Sequence, residues 1–456
     1  MNAPIRILIV SANRLAAPYP VYPLGVAYLS TYLQENLKGC ELHSFDFNFG
    51  NEAEFAKVLQ EFKPKYIAIS LRNIDGVNSY DPVNFIGGYQ TILHTVRENY
   101  TEPHYTIIGG AGFSIFPEKL FEMLQPDYAI CGEGEISLHT LIQNLEEGKP
   151  VDTIGGLLYK KEGNTVFNRE RNQFSCPNLQ FDKALVDFYW INSGMLNIQT
   201  KRGCPFHCIY CTYPIIEGHK VRTLDAEKVA STLKDLYLNK KIDYVFFTDS
   251  VFNMNEAYNI ELAERIIATG IHIHWGAYFF PKGMSEKLLT LLKKSGLIHI
   301  EFGTESISDR TLKSYGKHFT VDDILSQSEI CTKLDIDYAH FLILAGYGET
   351  DATIDETYEN SKRIPRTVFF PFVGMRIYPG TPLYSIAIQE GIITADDDLI
   401  SPKYYISKDV NLETLQSRAK ATGRRWVFPD EDTSVITNRM RKLRGKKGPL
   451  WEYLIS

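Results

Sequence analysis

The sequence predicts an α/β protein with four segments: a doubly wound parallel sheet over residues 1–148, a connector over 149–190, a partial (β/α)6 barrel over 191–400 and a small basic extension over 401–456. Three observations predict it. Short apolar runs alternate with helix-spaced patterns through the first segment, and the same rhythm restarts at Leu196 for six βα units. Three cysteines stand where the first strand of that second series ends.

In the first segment, residues 5–10 are an apolar run of strand length and 24–37 carry apolar side chains at helical spacing. Residues 41–47 alternate as a strand does, and a helix follows over 52–62. A strand over 66–71, a helix over 86–98, a strand over 105–108, a helix over 117–124 and a strand over 128–131 complete the series. Repeated βα units with short loops make a parallel sheet covered on both faces, and such sheets bind ligands at the carboxyl ends of their strands. Those ends fall at residues 11–23, 72–81, 109–116 and 132–135. The run Gly109-Gly110-Ala111-Gly112 lacks G-x-G-x-x-G spacing after the first strand, which argues against a nicotinamide cofactor. Read alone, these glycines are equally turn residues.

The connector carries Gly155-Gly156, a hairpin-like piece around Glu162-Gly163-Asn164, a lone Cys176 read as a bystander, and the aromatic Phe188-Tyr189-Trp190. Barrel strands are then expected at 196–200, 244–248, 272–278, 298–302, 338–344 and 368–377. Helices are expected between and after them at 226–238, 257–268, 285–294, 309–314, 321–334, 352–364 and 383–390. Barrel chemistry sits at the carboxyl ends of the strands. His272, His274 and His299 lie on strands and are read as hydrogen-bonded fillers of the barrel.

Lys201-Arg202-Gly203-Cys204-Pro205-Phe206-His207-Cys208-Ile209-Tyr210-Cys211 puts three cysteines into eight residues, spaced C-x3-C-x2-C. Thiolates suit zinc or iron–sulfur clusters, and three are one short of what either takes from protein alone. Zinc would need His207 as its fourth ligand, an awkward fit inside so short a loop. A cluster would leave one iron open to an outside ligand.

With Tyr210 directly before the third cysteine, the motif resembles that of radical S-adenosylmethionine (SAM) enzymes. The resemblance implies that Cys204, Cys208 and Cys211 hold a [4Fe–4S] cluster whose open iron chelates SAM. A Rossmann-like domain preceding this motif is similar to the cobalamin-dependent (class B) radical SAM enzymes. That resemblance implies cobalamin contacts from Leu71, Arg72 and Asn73, from Gly109, Gly110 and Phe113, and from Gly132, Glu133, Gly134 and Glu135. It implies SAM contacts from Tyr210, from Asp249 and Ser250 where the family carries Gly-Gly-Glu, and from Glu305 and Ser306. Gly346 and Gly348 match a turn beside the adenine, and Arg376 is the expected carboxylate partner.

The Asp-x-His-x-x-Gly motif of cobalamin proteins with a histidine below cobalt is absent, so the loop Leu71-Arg72-Asn73-Ile74-Asp75 is expected to cover that face through Arg72; the alternative is that Arg72 pairs with a nearby carboxylate or the corrin's side chains. In the family a 5′-deoxyadenosyl radical removes hydrogen from carbon and methylcobalamin supplies the methyl group. The expected reaction is therefore methyl transfer to a carbon of a lipid or natural product. Ring contraction, cyclisation or oxidation is the alternative. Methylthio transfer to RNA would call for further cluster cysteines; Cys40 and Cys131 are too few and too far apart. A third rival is a sensor that binds cobalamin without turnover.

Composition narrows the setting. A net charge of −7 argues against nucleic acid as a partner. No apolar run reaches the roughly 18 residues of a membrane span, and seven cysteines do not read as a disulfide framework. No signal peptide is read at the N-terminus, and a reducing cytoplasm is expected, with flavodoxin or ferredoxin as electron donor. Residues 418–447 are basic within this acidic chain, which sets up an expectation of peripheral contact with anionic lipid at the inner membrane face, against a plain helix capping the barrel.

Overall fold

The computed structural model describes residues 4–170 and 177–455, so Cys176 lies outside the described residues. The chain forms two compact units. The first comprises Met1–Gly76, Asn84–Tyr189 and Ile215–Glu217, and the second Val77–Val83, Trp190–Pro214 and Gly218–Ser456.

In the first unit β1 (Ile5–Ser11), α1 (Leu24–Asn36), β2 (Cys40–Asp46), α2 (Glu52–Phe62), β3 (Tyr66–Ser70), α3 (Ile86–Asn99) and β4 (Tyr105–Gly109) alternate. Two short helices, α4 (Ala111–Ile115) and α5 (Pro117–Leu124), lead to β5 (Tyr128–Ile130) and α6 (Glu135–Glu147). Local chemistry sets the boundaries. Asn51 and Glu54 close a capping box at the start of α2, and Gly148 ends α6 in the left-handed region. Ile7, Leu8, Ile9 and Val10 are wholly buried, as the centre of a sheet covered on both faces requires. The strand order is β2-β1-β3-β4-β5, all parallel, so the order reverses between β1 and β3.

The stretch expected as a connector does more than connect. β6 (Leu157–Lys161) and β7 (Asn164–Phe167) form a hairpin that adds antiparallel to β5. Glu162 at φ +51° and Gly163 at φ +81° supply the two positive φ values of its turn. The alternation was too short to show that the hairpin belongs to the sheet. α7 (Lys183–Ser193) carries the chain onward.

The second unit opens with β8 (Leu196–Ile198), β9 (Lys201–Arg202), α8 (Tyr213–Glu217, whose last three residues count with the first unit) and β10 (Arg222–Thr223). Then come α9 (Ala226–Lys240), β11 (Tyr244–Phe247), α10 (Glu256–Ala268), β12 (His274–Phe279), α11 (Glu286–Lys294) and β13 (Leu297–Glu305). α12 (Asp309–Ser314), α13 (Val321–Lys333), β14 (Asp337–Leu344), α14 (Asp351–Ser361), β15 (Thr367–Val373), β16 (Met375–Arg376) and α15 (Pro382–Gln389) follow. The six expected barrel strands run parallel in the order β8-β11-β12-β13-β14-β15.

The βα rhythm stops after residue 402, but the structure does not. β17 (Tyr404–Tyr405) pairs with β16, α16 (Leu415–Ala421) follows, and β18 (Arg425–Trp426) adds parallel to β15 as a seventh strand. α17 (Ser434–Arg444) is mostly exposed, with Thr437, Met440 and Arg441 half-buried and Val435 and Leu443 among its most open side chains. The turn after it buries Trp451 and Leu454 against Ala339 and Val368. The extension is therefore part of the barrel's packing, because apolar positions too sparse to read as a strand meet an open sheet edge.

His299 fills the barrel as expected, sharing a 2.7 Å hydrogen bond between Nδ1 and the Tyr244 hydroxyl. Burial pushes its pKa down to about 3, so the ring is neutral. His272 and His274 are exposed instead.

Candidate active site

The cysteine loop hangs from a clasp. β9 and β10 pair antiparallel, bringing residues 203 and 221 together at the loop's base. Gly203 sits at φ +89°, and a Cβ there would lie 2.2 Å from the Lys220 carbonyl oxygen, so only glycine fits. Backbone bonds fix the rest: Cys204 N to Gly218 O (3.1 Å), Cys211 N to Cys208 O (3.2 Å), Ile209 N to Tyr315 O (3.2 Å) and Leu383 N to Ile209 O (2.9 Å). His207 is exposed and stacks on His219 with ring centroids 4.6 Å apart, turned away from a ligand role. Among the described residues no three thiol, imidazole or carboxylate groups converge on one metal ion. Thiolates on a four-iron cube each take a different iron, so three suffice where the fourth iron is left open.

Burial raises the Cys204 thiol and pushes that of Cys211 up to about 12, each helped by the neighbouring cysteines and opposed by Lys317. Taking up iron as thiolates therefore releases protons.

Tyr210 and Glu305 meet at this loop: the Tyr210 hydroxyl donates to Glu305 Oε1 at 2.7 Å. Lys317, which no sequence pattern marked, donates to the same oxygen at 3.2 Å and is almost fully buried. Burial alone would discharge Lys317, but Glu305 and the thiols of Cys208 and Cys211 hold its pKa above the ordinary lysine value. Gly346 belongs to the same neighbourhood, since a Cβ there would stand 2.3 Å from the Tyr315 hydroxyl. Gly348 turns at φ +77° beside Ser314. Ser250 donates to the Gly203 carbonyl at 3.2 Å and so supports the loop.

Three expected SAM contacts are otherwise engaged. Asp249 is wholly buried. Its Oδ1 accepts from the backbone N–H groups of Thr200 (2.7 Å) and Lys201 (3.2 Å), and its Oδ2 from the Thr200 hydroxyl and Lys201 Nζ (2.9 Å). Lys201 also donates to Phe252 O at 2.7 Å. The carboxylate expected to hold the SAM amino group thus anchors the base of the cysteine loop, and spacing could not reveal its buried partner. Ser306 faces α14 through Thr357 Oγ1 at 3.1 Å. Arg376 donates to the carbonyls of Ile377 and Leu399, both at 2.6 Å, so backbone has the role expected of a carboxylate.

In the first unit the loops after β3 and β4 interlock. Leu71 N donates to Gly109 O at 2.8 Å and Gly112 N to Leu71 O at 2.9 Å. Gly110 stands at φ +100°, where a Cβ would lie 2.6 Å from Leu71 O. Asn73 accepts from the Tyr89 hydroxyl through its carbonyl, and Arg72 is exposed at the rim. The Ser114 hydroxyl joins the next loop by donating to Gly110 O (2.9 Å) and accepting from Gly132 N (2.8 Å). Gly134 caps α6, and the buried Glu135 in its first turn complements the helix dipole. Glu133 lies between Gly132 and Gly134, half-buried. Phe113 is wholly buried, which makes it core and corrects its expected ligand contact. Asn13, after β1, was missed: it is buried, and its Nδ2 has no partner among the described residues.

Comparisons with known proteins accord with this geometry. Residues 198–360 match the radical SAM superfamily and residues 10–142 the B12 binding domain. The chain belongs to the cobalamin-dependent radical SAM family. It is 25% identical over 405 residues to an uncharacterized methyltransferase, PH0819, of Pyrococcus horikoshii, covering 85% of each chain. It is 20% identical over 443 residues to the tryptophan 2-C-methyltransferase of Streptomyces laurentii, covering 82% of this chain and 73% of that one. Its fold matches the radical SAM methyltransferase TsrM of Kitasatospora setae, solved with tryptophan and a SAM analogue, at a TM-score of 0.85. The identity there is 20%, with 99% and 97% of the two chains covered.

The family's cofactors are a [4Fe–4S] cluster, SAM and cobalamin. The residues present fit them. Three thiols on a clasped loop with a cation beside them suit a cluster, and Gly110, where a Cβ would meet the Leu71 backbone at 2.6 Å, lets the loops after β3 and β4 close on each other at the carboxyl ends of the strands. The unpartnered Asn13 Nδ2, at the point where strand order reverses, is a donor in want of an acceptor.

Proposed function

We propose that this enzyme transfers a methyl group to a carbon of a small-molecule substrate of the lipid or natural-product kind. The observation that carries the reading is one chain holding both the three-cysteine loop, with Glu305 and Lys317 against Tyr210, and the interlocked glycine loops of a B12-binding domain. The methyltransferase names of two relatives and of the solved structure support transfer over rearrangement. When bound, the cluster with SAM supplies a carbon-centred radical and cobalamin supplies the methyl group.

The chain's own residues bind, orient and shield. Cys204, Cys208 and Cys211 hold the cluster, Tyr210 and Glu305 line the SAM side of it, and Ser250 steadies the loop. Gly109, Gly110, Leu71 and Asn73 set the backbone against the corrin. Arg72, exposed on the neighbouring loop, would stand against the corrin without ligating its metal, since a guanidinium keeps its proton. An Arg72→Ala protein whose corrinoid spectrum and turnover match wild type would remove that role.

The electron donor is a flavodoxin or ferredoxin. No helix among the described residues is long and apolar enough to cross a membrane. Contact with a lipid surface, if the substrate is a lipid, belongs to α17, where Arg439, Lys442 and Arg444 stand with the exposed Val435 and Leu443.

The deciding experiment incubates the anaerobically purified enzyme, carrying iron, sulfide and corrinoid, with methyl-deuterated SAM, a reductant and candidate substrates. Expected are 5′-deoxyadenosine, S-adenosylhomocysteine and a product heavier by one labelled methyl. Deoxyadenosine with an unmethylated, rearranged product would favour ring contraction, cyclisation or oxidation. Zinc in place of iron would end the reading.

A further inference from the structure

Glu305 and Lys317 form a buried ion pair whose placement goes beyond holding the fold together. Glu305 Oε1 receives both the Tyr210 hydroxyl and Lys317 Nζ, at 2.7 and 3.2 Å. Tyr210 lies between Cys208 and Cys211 in the chain, and Nζ stands 5.6 Å from the centroid of its ring. The ammonium also interacts electrostatically with the thiols of Cys208 and Cys211.

The backbone is bent to make this possible. Glu305 ends β13 at φ +62°, where the register with β14 shifts between Gly303 and Glu305. A non-glycine residue held there costs on the order of 1–3 kcal/mol and persists only where its surroundings fix it. On the other side, Gly316 turns at φ +73°, where a Cβ would lie 3.0 Å from His207 O, and this brings Lys317 in beside the loop. Strain on one partner, a tight turn beside the other and the burial of most of both side chains together place a cation against Tyr210 of the cysteine loop.

Cluster chemistry explains what a cation would do there. The three thiolates outweigh the positive charge of a four-iron core, and the electron that starts turnover adds to the excess. Fixed charge and hydrogen bonds near the sulfurs set the reduction potential of such clusters.

We propose that Lys317 is a positioning residue for the cluster: its buried ammonium, held by Glu305 against Tyr210, offsets the thiolate charge and raises the cluster's reduction potential. The proposal rests on the family reading of Cys204, Cys208 and Cys211. It assigns Glu305 a share in setting that charge besides lining the SAM side.

The test uses full-length protein reconstituted anaerobically with ferrous iron and sulfide, titrated with dithionite and redox mediators and followed by electron paramagnetic resonance. Lys317→Met is expected to lower the midpoint potential by at least about 60 mV, a tenfold change in a one-electron equilibrium, with iron and sulfide per chain unchanged. Lys317→Arg keeps the wild-type potential, and Glu305→Gln raises it because the ammonium loses its counter-charge. A fully loaded Lys317→Met protein at the wild-type potential would overturn the proposal, as would a downward shift in Glu305→Gln. If Lys317→Met does not assemble a cluster, the other two variants decide: a retained potential with arginine and a raised one with glutamine support the role, and any other pair of results refutes it. Wild-type protein that assembles no four-iron cluster would bring down the family reading as well, an outcome distinct from a cluster indifferent to Lys317.

Discussion

The ligand loops of the first sheet are built from backbone, whereas the mouth of the barrel is built around buried charge. After β3 and β4 the decisive contacts are Leu71 O, Gly110 and Gly112, with the exposed Arg72 at the rim. Around the cysteine loop they are two buried ion pairs, Lys201–Asp249 and Lys317–Glu305. The contrast follows from what each site takes. A corrin is broad and presents a face, so close approach of the main chain matters most. A cluster with SAM concentrates charge in a dry cavity, where each charge needs a fixed partner.

Cysteine variants give the largest test of this division. Cys204→Ala, Cys208→Ala and Cys211→Ala should each abolish cluster assembly and turnover while leaving corrinoid binding within a few-fold of wild type. Iron content and the visible corrinoid spectrum report the two separately. Loss of both cofactors together would show that the sites are not independent.

Next is Lys201→Met. Both members of its pair are buried to within 1% of full burial, so removing one leaves an uncompensated charge at a cost of about 3–5 kcal/mol. Urea unfolding should register it, and adding Asp249→Leu should not restore the loss, because the Thr200 and Lys201 N–H groups and the Thr200 hydroxyl then lack an acceptor. A single variant as stable as wild type would show that Thr200 and the backbone alone satisfy Asp249.

In the first unit the matching change is Gly110→Val. Its Cβ would meet backbone, not a movable side chain, 2.6 Å away at a φ of +100°. Corrinoid affinity should drop at least about tenfold, equivalent to 1.4 kcal/mol, with the iron content untouched. Unchanged affinity would mean that the corrin does not lie on these interlocked loops.

Sequence reading reached the architecture because βα periodicity is a repeated signal: eleven parallel strands of the two sheets, β1 to β5 and the six barrel strands, follow from it. It reached Cys204, Cys208 and Cys211 as a set because their spacing is local, but not the contact of Leu71 with Gly109, since the two lie on different loops. It misassigned Asp249 because that carboxylate's partner, Lys201, lies 48 residues away, and pairing across a barrel leaves no mark on spacing. Lys317 was invisible for a related reason, since it sits on a turn with no motif and gains its meaning from Glu305 and Tyr210. Seven strands at the barrel edge, where six were legible, depended on the two-residue β18, too short to show a period.

A smaller effect separates the units by pH. Glu349, in the barrel, has its pKa raised by burial to about 8, against 4.5 for a free carboxyl, despite bonds from backbone N–H groups. Glu301 and Glu452 are pushed up to about 7 by burial as well. In the first unit Asp46 reaches only about 6, again through burial, with Tyr189 and backbone bonds opposing. A carboxyl raised on folding binds more protons in the native state. Its contribution is therefore whole below the unfolded pKa and is withdrawn as pH rises through the window, at about 1.4 kcal/mol per unit for one group. Between pH 6 and 8 that withdrawal comes from the barrel. Iron-free Glu349→Gln protein should lose stability less steeply than wild type across pH 5 to 8 in urea titrations, whereas the slope for Asp46→Asn should differ from wild type only below about pH 6. Equal slopes for wild type and Glu349→Gln above pH 6 would mean that the Glu349 carboxyl is not held neutral. The contrast of a charge-bearing barrel with a backbone-built sheet would then rest on Lys201 and Lys317 alone.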